Sequence, residues 1–211
     1  MPTSARSLRS RHFALLLVLV ALAATACDRL EYRGFPLETL RARTSALAHL
    51  GAPSAAEVQR DFLGTIAQAS LFEIEASRIA LVRGGSKAVR RFAETTLRDR
   101  VAVDTDLEQL ATSVGVVLPS RLSDEFEARL SILQQLSGSE FDRAYARNVG
   151  VLVQEEALAA FERAANDSGE RVQRFAAAQL PTQREHLEEG RRLASEVERT
   201  NMASDGASFA G

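Results

Sequence analysis

The chain has one cysteine, Cys27, and one lysine, Lys87, beside 25 arginines in 211 residues. A solitary cysteine forms no intramolecular disulfide, and a free thiol is a liability in an oxidising compartment, so Cys27 calls for another use. No arginine cluster builds a continuous basic patch. Arg6, Arg9 and Arg11 lie in a segment expected to be removed, and without them 23 basic residues face 28 acidic ones, a net charge of −5. That argues against a nucleic-acid binder, which needs a basic footprint to release phosphate counterions. The chain also lacks a Gly-rich phosphate loop, a Ser-His-Asp arrangement and a cysteine-based site. No stretch alternates as a strand would, so the class is all-α. Hydrophobic residues at 45% and charged residues at 26% are globular values, and the length suits one domain with a proper core.

The N-terminus has three parts. Arg6, Arg9 and Arg11 form a positive region, and Phe13 to Ala24 is an apolar run of 12 residues. That run is too short to span a bilayer as a helix and right for a signal-peptide core. Ala24-Thr25-Ala26-Cys27 follows, and small residues before the cysteine resemble the lipobox of bacterial lipoproteins, although leucine is more usual where Ala24 stands. The resemblance implies a diacylglycerol on the Cys27 thiol and cleavage before it, giving a signal peptide over residues 1–26 and a lipid-anchored cell-envelope protein on the periplasmic face. The competing readings are an ordinary secretory signal with a coincidental cysteine, and an uncleaved anchor. Asp28 resembles the inner-membrane retention signal of enteric lipoproteins, a rule other lineages ignore, so inner and outer membrane both stay open.

Residues 27–53 read as anchor and tether: a turn at Arg33 to Pro36, a short helix from Leu37 to Leu50 that includes His49, and a break at Gly51-Ala52-Pro53. A capping box, Ser54 to Glu57, opens the domain, expected over residues 54–200. Long helical patterns cover about 58–83, 87–114, 140–166 and 170–199, with a shorter helix near 124–136 and a polar tail over 201–211. Pro181 lies inside the last long helix and is expected to kink or divide it. Apolar stripes at 3-4 spacing run along all four, for example Phe62, Ile66, Ala69, Ala76 and Ala80 on the first. On the third the stripe reads Ala144, Arg147, Val151, Gln154, Leu158, Phe161 and Ala165. Val89 to Ala93 with Leu97 recurs as Val172 to Ala176 with Leu180, each copy opening the second helix of a hairpin. Two related hairpins joined by a crossover that carries the short helix are the connectivity of a ferritin-like four-helix bundle.

Glu73, Arg100, Gln154 and His186 interrupt the stripes near their helix midpoints, where an antiparallel bundle brings residues to one depth. Residues 58–194 also resemble a ferritin-like family of bacterial envelope and secreted proteins known only as a domain of unknown function. The segments that carry the likeness are Phe72 to Glu75, Val89 to Leu97 with Asp99, Gly115 to Pro119, Phe141 to Tyr145, and Phe175 to His186. The family pattern has a glutamate on helix 1, Asp-His on helix 2, a histidine in the middle of helix 3 and another after the helix-4 proline. The resemblance therefore implies a ferritin-like metal site in which Glu73 and His186 are retained, while Arg100 and Gln154 replace two ligands. Arginine stays protonated and repels a cation, and no Glu-x-x-His pair occurs, since Gln183 stands three residues before His186.

Three functions compete on these grounds. The first is a non-enzymatic envelope protein that works through binding or structure, with Glu73 and Arg100 paired and Gln154 and His186 completing a hydrogen-bond network, and no cofactor. The second is a metal binder or oxidase using iron, manganese or zinc, with Glu155 or Glu156 replacing a lost ligand. The third is a pocket for an apolar ligand among the many alanines. Glu155-Glu156 and Glu188-Glu189 otherwise read as solvated faces, His49 as a solvated tether residue, and Tyr145 as packing.

Overall fold

The computed structural model describes residues 53–208, without the side chains of Val101, Ala102 and residues 204–208. The signal peptide, Cys27, His49, the tether up to Ala52, and residues 209–211 lie outside the described residues. The elements are α1 (Ala55–Arg83), α2 (Lys87–Ser113), α3 (Asp124–Gln135), α4 (Gly138–Tyr145), a π-helical turn (Ala146–Leu152), α5 (Val153–Asp167) and α6 (Glu170–Ser208). Among the described residues there is no strand, and no helix is long and apolar enough to cross a membrane.

Helix boundaries follow local chemistry. Ser54 and Glu57 form a reciprocal capping box: the Glu57 carboxylate accepts from the Ser54 amide at 2.7 Å and the Ser54 hydroxyl accepts from the Glu57 amide at 3.3 Å. Ser86 and Ser123 cap α2 and α3 through their hydroxyls. Past the end of α2, Gly115 takes φ +70°, the left-handed conformation that suits glycine after a helix terminus. The turn between α1 and α2 is held from a distance. The buried Asp142 carboxylate accepts from the backbone amides of Gly85 at 2.8 Å and Ser86 at 2.7 Å, fastening that turn to α4.

α6 is not divided at Pro181, and it runs on through Ser208 into the segment expected to be tail. Proline removes one hydrogen bond from the helix, and here Pro181 and Ala177 are both solvent-exposed, so the orphaned Ala177 carbonyl lies on the watered side. The expected third helix differs more. It is α4 and α5 joined by the π turn, and over α4 and the turn the buried face is Phe141, Tyr145, Ala146 and Val149, not Ala144, Arg147 and Val151. A π turn accommodates an extra residue per turn and rotates everything before it relative to a continuous α-helical phase. The stripe anchored at Gln154 and Phe161 is therefore out of phase further back, and Arg147 is exposed.

α1 packs along α2 and α5, and α6 packs along α5 and the π turn and more sparsely along α2. α3 lies against α1, with Phe126 packed on Phe72 at 5.0 Å between ring centroids. Gln68 clamps the start of this crossover, donating to the Arg121 carbonyl and accepting from the Ser123 amide, both at 2.7 Å. The core forms two apolar clusters. One gathers Phe72, Val89, Ala93, Phe141, Tyr145, Val149 and Leu193, and the other Phe62, Ile66, Leu107, Phe161, Val172 and Ala176.

The π turn and α6 cross in backbone contact at Gly150 and Gly190. A Cβ on Gly190 would land on the Gly150 carbonyl oxygen, whereas one on Gly64 in α1 meets nothing within 4 Å. Gly190→Ala should therefore destabilise the domain by about 1–3 kcal/mol or more through forced backbone separation. Gly64→Ala should stabilise it by roughly 0.5–1 kcal/mol through helix propensity. Urea unfolding of the two variants checks the contrast; equal effects would contradict the close crossing.

Candidate functional site

Between the two clusters lies a layer of polar side chains. On α2, Arg100 falls between Ala93 and Leu107; on α5, Gln154 falls between Val153 and Ala157; on α6, Gln183 falls between Ala176 and Leu193. Glu73 of α1 completes it and has no solvent exposure. The Arg100 Nε–H donates to Glu73 Oε2 at 2.6 Å, and the Gln154 amide donates to Glu73 Oε1 at 3.1 Å. Gln183 donates to the Gln154 side-chain oxygen at 2.8 Å, so one chain of hydrogen bonds touches all four long helical segments. Gln154 also donates to the Val149 carbonyl inside the π turn at 3.2 Å, which ties the local backbone irregularity to the layer.

Glu73, Arg100, Gln154 and His186 line one cavity of about 20 Å³, together with Phe92, Thr95, Thr96, Asp99 and Glu189. That volume holds about one water molecule and no organic ligand. His186 is half-buried, and the amide that joins the hydrogen-bond chain from α6 is that of Gln183. Gln183 stands three residues before His186 and so shares its face of α6, and packing turns Gln183 rather than His186 into the hydrogen-bond chain.

The electrostatics follow from burial. Desolvation pushes the Glu73 carboxyl above its ordinary range, opposed by the charge and hydrogen bond of Arg100 and by the hydrogen bond from Gln154. Desolvation also lowers His186, reinforced by the Arg100 charge and opposed by Glu189, Asp99 and Glu185. Tyr145 is raised mainly by burial, and its hydroxyl shares a 2.8 Å hydrogen bond with Ser77. Tyr145 is fully buried between Phe141 and Phe92, a packing position.

The donor set does not fit the metal site that the resemblance implies. Both Glu73 oxygens are engaged, one of them by the permanently charged Arg100, which would repel a metal cation placed on the same carboxylate. Glu155 and Glu156, the substitutes considered for the missing ligands, are exposed and pair with Arg191 at 3.0 Å and Arg129 at 2.8 Å. Among the described residues, no group of three or more His, Cys, Asp and Glu side chains is arranged to hold a metal ion.

Residues 44–193 match the family described as Domain of unknown function (DUF4142), and the chain belongs to that family. No curated protein and no solved structure matches the chain.

Breaking the pair should be far worse than replacing it. Arg100→Ala leaves a buried carboxylate without its cation and should cost about 3–5 kcal/mol, whereas a Glu73→Leu, Arg100→Met double variant should lie near wild type or above it. Chemical denaturation of both distinguishes the pair from a mere packing effect, in which the double variant would be the less stable. His186 gives a pH test. Its folded pKa is lowered below 6.5, so the unfolded chain binds the extra proton and the stability it contributes is lost as pH falls through that value. The stability difference between wild type and His186→Gln should shift against wild type between neutral and mildly acidic pH; a constant difference would contradict the assignment.

Proposed function

We propose that this protein is a lipid-anchored component of the bacterial cell envelope whose ferritin-like four-helix bundle serves as a non-catalytic binding or structural element. Diacylglycerol on Cys27 holds it on the periplasmic face of the inner or outer membrane. The observation that carries the non-catalytic reading is the Arg100 guanidinium on the Glu73 carboxylate at 2.6 Å, in a layer with almost no solvent exposure. A charge pair of this kind fixes helix register and leaves no open coordination position. The address rests on the sequence around Cys27: a positive start, a short apolar core, and small residues before the cysteine.

A second reading keeps a ferritin-like binder of iron, manganese or zinc, supported by Glu73 and His186 lining one cavity. One preparation tests both. The full-length protein expressed in a bacterial host should take up an alkyne-tagged palmitate and partition with membranes, and Cys27→Ser should abolish the labelling and release it. The same purified protein should contain less than about 0.1 equivalents of transition metal after incubation with each ion, since its carboxylate is already neutralised. Unlabelled wild-type protein in the membrane fraction would sink the anchor. Stoichiometric metal that disappears in Glu73→Gln would sink the non-catalytic reading in favour of the second.

A further inference from the structure

A pocket of about 250 Å³ lies between α1, α2 and the segment that leads into the crossover, and shares no lining residue with the cavity beside His186. Its walls are apolar: Leu71 from α1, Leu107 from α2, and Leu118 with Pro119 from the crossover. Its charges are all of one sign, Asp104 and Glu108, which are four residues apart and so share one face of α2. Like charges at that spacing repel, and the basic residue nearest in register, Arg100, is committed to Glu73. Arginine neutralises Glu75, Glu125, Glu155, Glu156 and Glu162, while other surface carboxylates, Glu94, Asp106 and Glu127 among them, form no ion pair with a described residue. Here no arginine lines the pocket, and among the described residues neither carboxylate forms an ion pair.

One of the two carboxylates is held in place. The Ser70 hydroxyl, only 2% exposed, donates to Asp104 Oδ1, which leaves Oδ2 for a further donor. A fixed carboxylate, a second one four residues along α2, and apolar walls around them select a positive head with a short hydrocarbon body. An inorganic cation would gain nothing from the leucines, and a neutral apolar molecule would desolvate the carboxylates without compensation. The size sits just below the usual range of ligand pockets, roughly 300–1,000 Å³, so the occupant is small. We propose that this pocket binds a small organic ammonium ion, its charge on Asp104 and Glu108 and its alkyl part against Leu71, Leu118 and Pro119.

The test is titration of the full-length protein in detergent with n-butylammonium and with 1-butanol, its neutral counterpart, followed by calorimetry and by backbone amide shifts. Butylammonium should bind saturably and shift the amides of Leu71, Leu107 and Leu118. Butanol should bind at least about tenfold more weakly. Glu108→Gln should weaken butylammonium several-fold. Glu108→Arg, at an exposed position, should abolish binding while leaving the circular dichroism unchanged and the Tm at or slightly above that of wild type, since it replaces a like-charge pair on α2 with an opposite-charge one. Equal binding of alcohol and amine, unaltered affinity in a folded Glu108→Arg, or no saturable response up to about 50 mM would overturn the proposal.

Discussion

Burying the Glu73 carboxylate commits residues on every other long helical segment. An isolated charge at zero exposure costs several kcal/mol even after relaxation, and that cost has to be met by a cation and by hydrogen bonds with good geometry. Arg100 meets the first need from α2 and Gln154 the second from α5, while Gln183 on α6 satisfies the amide oxygen of Gln154. Sliding any one helix by a turn would move its apolar residues to equivalent places but leave a buried polar atom without a partner. The layer thus selects one register among packings that hydrophobic burial alone would rank closely.

The π turn belongs to the same constraint. Gln154 donates to both Glu73 and the Val149 carbonyl, so the residue that completes the layer also holds the irregular backbone just before it. The rotation that the turn introduces carries Tyr145 and Val149 into the core ahead of Gln154, and it places Gly150 where α6 passes at backbone contact. A second device acts at the far end of the same segment. Phe141 packs in the core, Asp142 grips the turn between α1 and α2, and Tyr145 bonds to Ser77 of α1. The Phe-Asp-x-x-Tyr motif is explained by structure: it staples the first hairpin to α4 at three heights.

The parts of this architecture readable from sequence are those with local causes. Ser54 with Glu57, Ser86, and Gly115 announce helix ends through side-chain chemistry that operates within a few residues, and each does so in the structure. The polar interruptions at Glu73, Arg100 and Gln154 could be found because a charge on an apolar stripe has few acceptable surroundings. What sequence could not supply depends on phase and on distant partners. No residue from Ala146 to Leu152 demands a π turn, so the stripe upstream of it was read one residue out of step. His186 looked like the α6 member because histidine is the more chemically suggestive residue, yet Gln183 makes the bond. Pro181 predicts a break, but α6 continues through it: proline removes one hydrogen bond and crowds the Ala177 carbonyl, and because Ala177 is exposed that carbonyl can turn toward water.

The internal echo gives the layer its position. Val89, Phe92 and Ala93 open α2 and enter one apolar cluster; Val172, Phe175 and Ala176 open α6 and enter the other. Each hairpin therefore contributes the same wedge of valine, phenylalanine and alanine to a different cluster, and α2 and α6 pass from one cluster to the other along their length. On each of them a stretch between the two clusters is reached by neither wedge, and Arg100 and Gln183 stand there. On α2 and α6 these polar residues fall between the clusters, whereas Glu73 stands among Ala69, Phe72 and Ala76 of one cluster, so its side of the pair displaces apolar contact there. The sparser packing between α2 and α6 falls on the same line, with water-sized spaces on both sides of Arg100 and His186. Two well-packed halves joined through a polar seam give a domain whose stability resides in the clusters and whose alignment resides in four side chains.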